Sequence, residues 1–223
     1  MSNKPLKASD QKKLAEIVQR KQKRTEALQL LPPYTVIFCE GTKTEPLYIQ
    51  GFANKVNDKY KDFVKKDRVV IEGTGRNTQD LLRFARKTVE SKYPNCQIAY
   101  LMYDKDDFPS DNFDNTQFSA EKRKGNREYR VAWSNECIEL WFVLHFQDLE
   151  SNVHRSQYRE ILKGHFPYEK NLESIYGLLC DKTPIAIKRS RELYESYEPD
   201  TPPSKRAPAT RVHELVEYLS EYL

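Results

Sequence analysis

Long apolar runs are missing from this chain. No stretch of about 18 consecutive apolar residues occurs anywhere in its 223 residues, so a membrane-spanning helix is not expected. The amino-terminal Met-Ser-Asn-Lys-Pro-Leu-Lys carries no apolar segment of the kind a secretory signal requires. Both absences set the expectation of an intracellular, cytoplasmic protein with no membrane partner. Cysteine is sparse: Cys39, Cys96, Cys137 and Cys180 are widely spaced and never form a Cys-x-x-Cys pair, which argues against a zinc site and against a disulfide framework. They read as reduced core residues. An excess of one charge is also lacking, because 37 basic and 33 acidic residues leave a net +4 that permits nucleic-acid binding without demanding it. Gly73-Thr-Gly75 lacks the third glycine of a dinucleotide-binding loop and reads as a strand-to-helix turn. No internal repeat or low-complexity tract appears, and no Ser-His-Asp or Cys-His arrangement is evident.

What is present is a polar chain that is nonetheless built to fold. Charged residues make up 31% and hydrophobic residues 38%, while 12% aromatics supply the bulk that a disordered sequence lacks. The length suits one sizeable core, or one core with a helical appendage.

The first segment, residues 1–32, reads as a basic helix in which Leu14, Ile17 and Val18 stand among Lys12, Lys13, Arg20, Lys21, Lys23 and Arg24. Its basic face is either simply solvated or a phosphate-contacting arm. Residues 33–147 alternate strand and helix. Val36-Ile-Phe-Cys39, bounded by Pro32-Pro33 and Gly41, is a short apolar run of the kind found in a strand covered on both faces. It ends on Glu40, and a helix is expected from Thr44, with Pro46 in its first turn. Asp67-Arg-Val-Val-Ile-Glu72-Gly73 repeats the design, followed by a helix capped at Asn77 or Thr78 and faced by Leu81, Leu82, Ala85 and Val89. Gln97-Ile-Ala-Tyr-Leu-Met-Tyr103 is a third strand, ending in Asp104-Lys105-Asp106-Asp107, and Tyr129-Arg-Val-Ala-Trp-Ser134 is a fourth, ending at Asn135. Cys137 to Phe146 reads as a helix apolar almost all round, and in it Glu139 is anomalous, since a buried carboxylate is costly unless paired or metal-bound. Residues 148–223 show only helical patterns, interrupted by the proline-rich Glu198–Pro208 loop. They read as a helical elaboration whose tyrosines, Tyr194, Tyr197, Tyr218 and Tyr222, either dock a partner or pack on the chain's own sheet.

Four strand–helix alternations predict an α/β fold with a mainly parallel sheet flanked by helices. Glu40, Glu72, Asp104 and Asn135 would then converge on the carboxyl-terminal edge of that sheet, where such folds hold ligands. The carboxylates of Asp104-Lys105-Asp106-Asp107 repel one another unless a cation or basic groups compensate; the segment is either a solvated acidic turn or, because hard oxygen ligands suit Mg²⁺ or Mn²⁺, part of a metal site with Glu40, Asp104 and Asp106 as the candidates. Beside basic groups such as Lys122, Arg123, Lys124 and Arg127, which either contact phosphate or face water, the pattern fits metal-assisted phosphoryl chemistry. Further candidates are Glu139 as a site carboxylate and Lys43, Lys105, Arg123, Lys124, Asn135 and His145 as nucleic-acid contacts, a hydrogen-bonded core histidine being the plainer reading of His145.

Three segments carry a resemblance: Ile37-Phe-Cys-Glu40-Gly-Thr-Lys-Thr-Glu45-Pro with Tyr48, Tyr103-Asp-Lys-Asp-Asp107, and Ser134-Asn-Glu-Cys-Ile-Glu139-Leu-Trp-Phe-Val-Leu-His145-Phe146. Together they resemble the RloB family, whose members are similar to TOPRIM domains and occur in phage-defence loci, abortive-infection systems included, often beside an ATPase. The resemblance implies a TOPRIM-like α/β core and a Mg²⁺-dependent nuclease acting on DNA or RNA, tRNA among the options, as a toxic effector. It implies an acid/base or metal-linked role for Glu40, a Mg²⁺-binding role for Asp104 and Asp106, and site roles for Asn135 and Glu139. The segment Arg206 to Val216 is similar to the family's closing segment, although Ala207 stands where Asn is expected. The competing expectation is a non-catalytic subunit that binds nucleic acid or regulates an ATPase. A homo-oligomer is compatible with either.

Overall fold

In the computed structural model, residues 8–29, 31–122, 127–149 and 151–223 are described. Helix α1 (Ala8–Gln29) comes first, and its apolar positions stay open to solvent, with Leu14 and Ile17 each about half exposed. The alternating region follows as β1 (Thr35–Cys39), α2 (Thr44–Tyr60), β2 (Val69–Gly73), α3 (Thr78–Ser91), β3 (Ile98–Asp104), α4 (Ser110–Glu121), β4 (Glu128–Asn135) and α5 (Ile138–Val143). Then come α6 (Arg155–His165), α7 (Ile175–Leu179), α8 (Thr183–Glu195), β5 (Ala209–Thr210) and α9 (Val212–Ser220). Among the described residues no helix is long and apolar enough to cross a membrane.

The strands form one sheet in the order β2-β1-β3-β4-β5, the first four parallel and β5 antiparallel to β4. This is the expected α/β architecture: a mainly parallel sheet flanked by helices. Parallel strands must be covered on both faces, and the alternation of side chains divides the apolar residues accordingly. Ile37, Cys39, Tyr100 and Met102 point to one face, where α2, α5 and α9 bury Tyr48, Phe52, Trp141, Phe142, Leu215 and Leu219. Val36, Phe38, Leu101, Tyr103 and Trp133 point to the other, against Leu81, Leu82, Ala85 and Val89 of α3 and Phe113 of α4. The register Ile37 to Tyr100 and Phe38 to Leu101 keeps like faces together across β1 and β3.

The carboxy-terminal part departs from the expectation of helices alone. Ala209 and Thr210 pair with Asn135 and Ser134 as β5, and the Thr210 hydroxyl donates to the Trp133 carbonyl at 3.0 Å. A two-residue strand is too short to show a period, and the polar edge of β4 captured what its sequence marks as a helix start. The tyrosines expected either to dock a partner or to pack inward take the second role. Tyr218 is buried with its hydroxyl 2.7 Å from that of Thr35, and Tyr194 lies between Trp133 and His213. Helices α6 to α9 therefore share the core of the sheet. Arg206 anchors the proline-rich loop, donating to the carbonyls of Thr201, Glu198 and Pro199 while its guanidinium lies 4.4 Å from the centre of the Tyr194 ring.

Trp133 joins the two parts: it is fully buried, packs on Phe113 and Tyr194, and donates its indole N–H to Gln117 at 2.7 Å. Trp133→Ala is expected to cost about 3–5 kcal/mol, as for large aromatic truncations in cores, whereas Leu14→Ser on the open face of α1 should change stability by less than about 0.5 kcal/mol. Urea denaturation followed by fluorescence checks both; equal effects of the two substitutions would contradict this division of the core.

Candidate functional site

The site grows out of the way β1 ends. Past its last residue, the Glu40 N–H still donates to the Met102 carbonyl at 2.8 Å, so the chain stays fastened to β3 while its side chain leaves the sheet. The Glu40 carboxylate accepts the Asp104 N–H at 3.3 Å. Asp104, the last residue of β3, turns its own carboxylate to the N–H of Ile138 at 3.0 Å, the first residue of α5. Two carboxyl groups thus stand side by side at the carboxyl ends of adjacent parallel strands, outside which open α/β sheets hold ligands.

Glycine lets the neighbouring loops close in. A methyl group at Gly41 would collide with the Glu45 carboxylate, which accepts the Gly41 N–H at 3.1 Å, and one at Gly73 would press on the backbone of Gly41 and Thr42. Glu45 is consequently buried at the start of α2 and adds a third acidic group. The cavity over these residues, about 530 Å³, is also lined by Asp106 and Glu139 and by the basic Lys43, Arg155, Arg159 and Lys170. The Thr44 hydroxyl donates to Asn171 at 2.9 Å, which holds the Lys170 segment against the start of α2. Asp106 has a positive φ of 37°, a conformation costly for a residue other than glycine and concentrated at functional sites.

Charge is unevenly compensated across this cavity. Arg155 donates to Asp106 at 2.8 Å and also pairs with Asp107. Glu139, fully enclosed, receives Arg159 at 3.0 Å and the Tyr168 hydroxyl at 3.1 Å. Glu40, Glu45 and Asp104 are held by backbone N–H groups. Burial, and after it the nearby Glu45 and Asp106, push the Glu40 carboxyl up to about 8 against the pull of the Asp104 N–H. Burial pushes Asp104 well above the usual carboxylate range, reinforced by Glu45, Glu40, Asp106 and Glu139. Glu45 is raised by burial as well. Cys137, on the same cavity wall, has its thiol raised by burial and then by Glu139 and Asp104, so it stays protonated.

Of the residues singled out in the sequence, Glu40, Asp104, Asp106, Glu139 and Lys43 meet in this cavity. Convergence of all four strand-end groups does not occur. Glu72 is taken by Lys92 and Tyr93 on the far side of β2, and Asn135 is buried, donating its amide to the carbonyls of Pro203 and Ser204. His145 is not a nucleic-acid contact: it is 2% exposed, bonded to the Trp141 carbonyl at 3.0 Å and enclosed by Tyr48 and Trp141, and burial lowers its pKa to about 4. Lys105 folds back onto the carbonyls of Phe108 and Asp106. Arg123 and Lys124 lie outside the described residues. Glu45, Arg155, Arg159 and Lys170 join the site without having been singled out. Glu45 had a local signal, the capping-box spacing of Thr42-Lys-Thr-Glu45. For the three cations the spacing of Arg155 and Arg159, one helical turn apart, is the trace available.

Among the described residues, no three His, Cys, Asp or Glu side chains form a group placed to hold a metal ion together. Mg²⁺, however, characteristically takes one or two protein carboxylates and completes its shell with water and substrate phosphate. Glu40 and Asp104 have that chemistry: hard oxygen donors, adjacent, mutually repelling and unpaired with any cation in the contacts described above. A divalent ion therefore fits the pair.

No curated protein and no solved structure matches the chain. The profile of RloB-like proteins matches residues 35–219, a span that contains all five strands, the cavity carboxylates and the α6 arginines. The chain belongs to the RloB-like protein family.

Proposed function

We propose that this protein is a Mg²⁺- or Mn²⁺-dependent nuclease that hydrolyses phosphodiester bonds in DNA or RNA, tRNA among the candidates, as the cytoplasmic toxic effector of an antiphage system working beside an ATPase. One observation carries the catalytic part: the carboxyls of Glu40 and Asp104, in no ion pair among the described residues, stand at adjacent strand ends in one cavity with Lys43, Arg155, Arg159 and Lys170. Carboxylates alone would repel a polyanion, and cations alone would only bind one. Side by side, they suit a phosphate held between basic groups and a metal. The defence role and the ATPase rest on family membership.

Hydrolysis adds the oxygen of one water to phosphorus and breaks one P–O ester bond, so a proton must leave the attacking water and a proton must reach the departing oxygen. Glu40, whose carboxyl burial raises to about 8 in the metal-free protein, is suited to that transfer. Asp104, fixed by the Ile138 N–H, would supply the second oxygen ligand, and Asp106, now paired with Arg155, would be available as a third. A divalent ion on Glu40 and Asp104 would neutralise phosphate charge and activate water. The second reading, a non-catalytic subunit regulating an ATPase, draws on the pairing of Asp106, Asp107 and Glu139 with arginines, which leaves part of the acidic rim already satisfied.

Glu40→Gln and Asp104→Asn should each lower metal-dependent cleavage of labelled DNA or RNA by a factor on the order of 10² or more. Both proteins should remain folded and show a smaller metal-induced rise in melting temperature, because a ligand stabilises only through binding to the folded state. Folded variants that cleave as fast as the parent would overturn the catalytic reading in favour of the regulatory one.

The metal-free protein should also lose stability as pH rises. A carboxyl raised to about 8 in the fold binds its proton more tightly there than in the unfolded chain. Its stabilising contribution is therefore complete below about pH 4.5 and disappears as pH climbs to about 8. Asp104, raised in the same direction, adds to the slope. Urea midpoints measured from pH 5 to 8 should fall for the parent, fall less steeply for Glu40→Gln, and recover when Mn²⁺ is added. A midpoint that rises with pH in the metal-free parent would contradict the assignment.

A further inference from the structure

Helix α6 presents its basic residues in a pattern that neutralisation of the site explains only in part. Arg155 and Arg159 are four residues apart, about 6 Å along the axis, and both line the cavity, while Tyr158 and Leu162 form the buried stripe beside them on the helix. Lys163 continues the basic row by another turn, in solvent, paired with Glu160. Were the arginines there to compensate the acidic floor, they would reach the carboxyls whose repulsion is greatest. They do not. Arg155 engages Asp106 and Asp107, the latter with its side chain 86% exposed and in no need of a counter-ion, and Arg159 engages Glu139, while the contacts of Glu40 and Asp104 are backbone N–H groups. Both arginines keep about a third of their side-chain surface open. The helix start is itself fixed, because Glu136 accepts the Arg155 N–H at 2.9 Å and His154 and Gln157 form a reciprocal cap.

We infer that Arg155 and Arg159 of α6 are the phosphate-contacting wall of the site: they bind non-bridging oxygens of the nucleic-acid backbone, Arg155 giving up Asp106 as that backbone enters and Arg159 keeping the enclosed Glu139 on its Nε while its terminal N–H groups take the phosphate. This inference rests on the nuclease reading for the identity of the ligand, though not for its test. Arginine presents a planar fork of donors matched to phosphate oxygens, and the exchange of one anion for another at a partly exposed guanidinium needs no rearrangement of the fold. The row from Arg155 through Arg159 to Lys163, stepped by about 6 Å, would run alongside successive backbone phosphates, with the reacting one nearest Arg155 and Arg159.

The test is binding, separate from cleavage. In the full-length Asp104→Asn background with Mg²⁺, fluorescence anisotropy measures the affinity of labelled single-stranded DNA and RNA oligonucleotides across a range of salt. Arg155→Gln should reduce the slope of log K against log [salt] by about 0.7, the loss of one phosphate contact on a single strand. Arg159→Gln should do the same, and it is made together with Glu139→Gln so that no buried carboxylate is left unpaired. Arg159→Lys should keep the slope while weakening affinity, since the charge stays and the fork is lost. Arg191→Gln is the charge-matched control, because Arg191 pairs with Glu217 away from the cavity, and its slope should equal the parent's. Loss of the slope in the α6 variants of a protein that cleaves nothing would sustain the wall while removing the nuclease reading. Slopes that stay at the parent's value in folded α6 variants, or that fall equally in Arg191→Gln, would overturn the wall even if Mg²⁺-dependent cleavage is found.

Discussion

Everything at this site follows from holding like charges together at the edge of a buried sheet. β1 and β3 are adjacent parallel strands, so Glu40, just past the end of β1, and Asp104, the last residue of β3, arrive within one hydrogen bond of each other, and both are acidic. Burial already disfavours ionising either group, and proximity raises the cost further. The fold tolerates the pair because the backbone supplies the compensation: the Asp104 N–H points at Glu40, and the first N–H of α5 points at Asp104. A helix start is a natural anion site, even though α5 is short. Such an arrangement leaves the carboxyls oriented but not neutralised, the condition under which a divalent ion gains most from binding.

How much of this could be read from the chain depends on the range of the interactions involved. The four parallel strands announced themselves, since each is a short apolar run closed by a polar residue and a turn, and two-sided burial makes such runs nearly continuous. Glu40 and Asp104 were legible for the same reason: a charge directly after a buried strand is a local contradiction. Glu72 and Asn135 obey the same rule and yet do different work, because the rule fixes only the edge on which a residue lies. Glu72 sits at the end of the edge strand β2, within reach of Lys92, and Asn135 sits where β5 and the proline-rich loop close over β4. Position within the sheet order decides, and that order is not written in any single segment. β5 escaped notice because two residues have no period, and His145 was ambiguous because a histidine on an apolar helix looks the same whether its ring meets a ligand or Tyr48.

The basic half of the site was harder still to see. Arg155, Arg159 and Lys170 lie more than a hundred residues after Glu40, in a stretch whose pattern is merely helical. Their meaning comes from where α6 is anchored. Glu136, just past β4, takes the backbone N–H of Arg155, while Tyr158 and Leu162 seat the helix in the core beside α5. Once those two constraints are satisfied, Arg155 and Arg159, next to the buried stripe of α6, are left at the cavity while Gln157, Glu160 and Gly164 face solvent. The carboxy-terminal third is therefore part of the site's construction. β5, α8 and α9 complete the sheet and its cover, and α6 with the Lys170 loop completes the cavity.

This division of labour gives the site two sources of charge that are structurally independent. The acidic floor is set by strand pairing, the most strongly specified contact in the molecule, since a one-residue slip would turn every side chain to the wrong face. The basic wall is set by a helix that packs through two large apolar residues and is tied at its start by a cap and a carboxylate. Interactions across the gap, Arg155 with Asp106 and Arg159 with Glu139, join residues whose side chains range from nearly enclosed to one-third open. The Arg155–Asp106 pair, which solvent reaches, contributes little to stability and is readily exchanged for another anion, whereas Arg159 satisfies the enclosed Glu139. Asp106, held in a left-handed backbone conformation directly after the strand, is the acidic partner most easily released, because its link to the wall is partly solvated. Entry of a phosphate between wall and floor would then unite two changes in one event: the arginines acquire a ligand with more oxygens to bind, and the floor regains a third carboxylate beside Glu40 and Asp104.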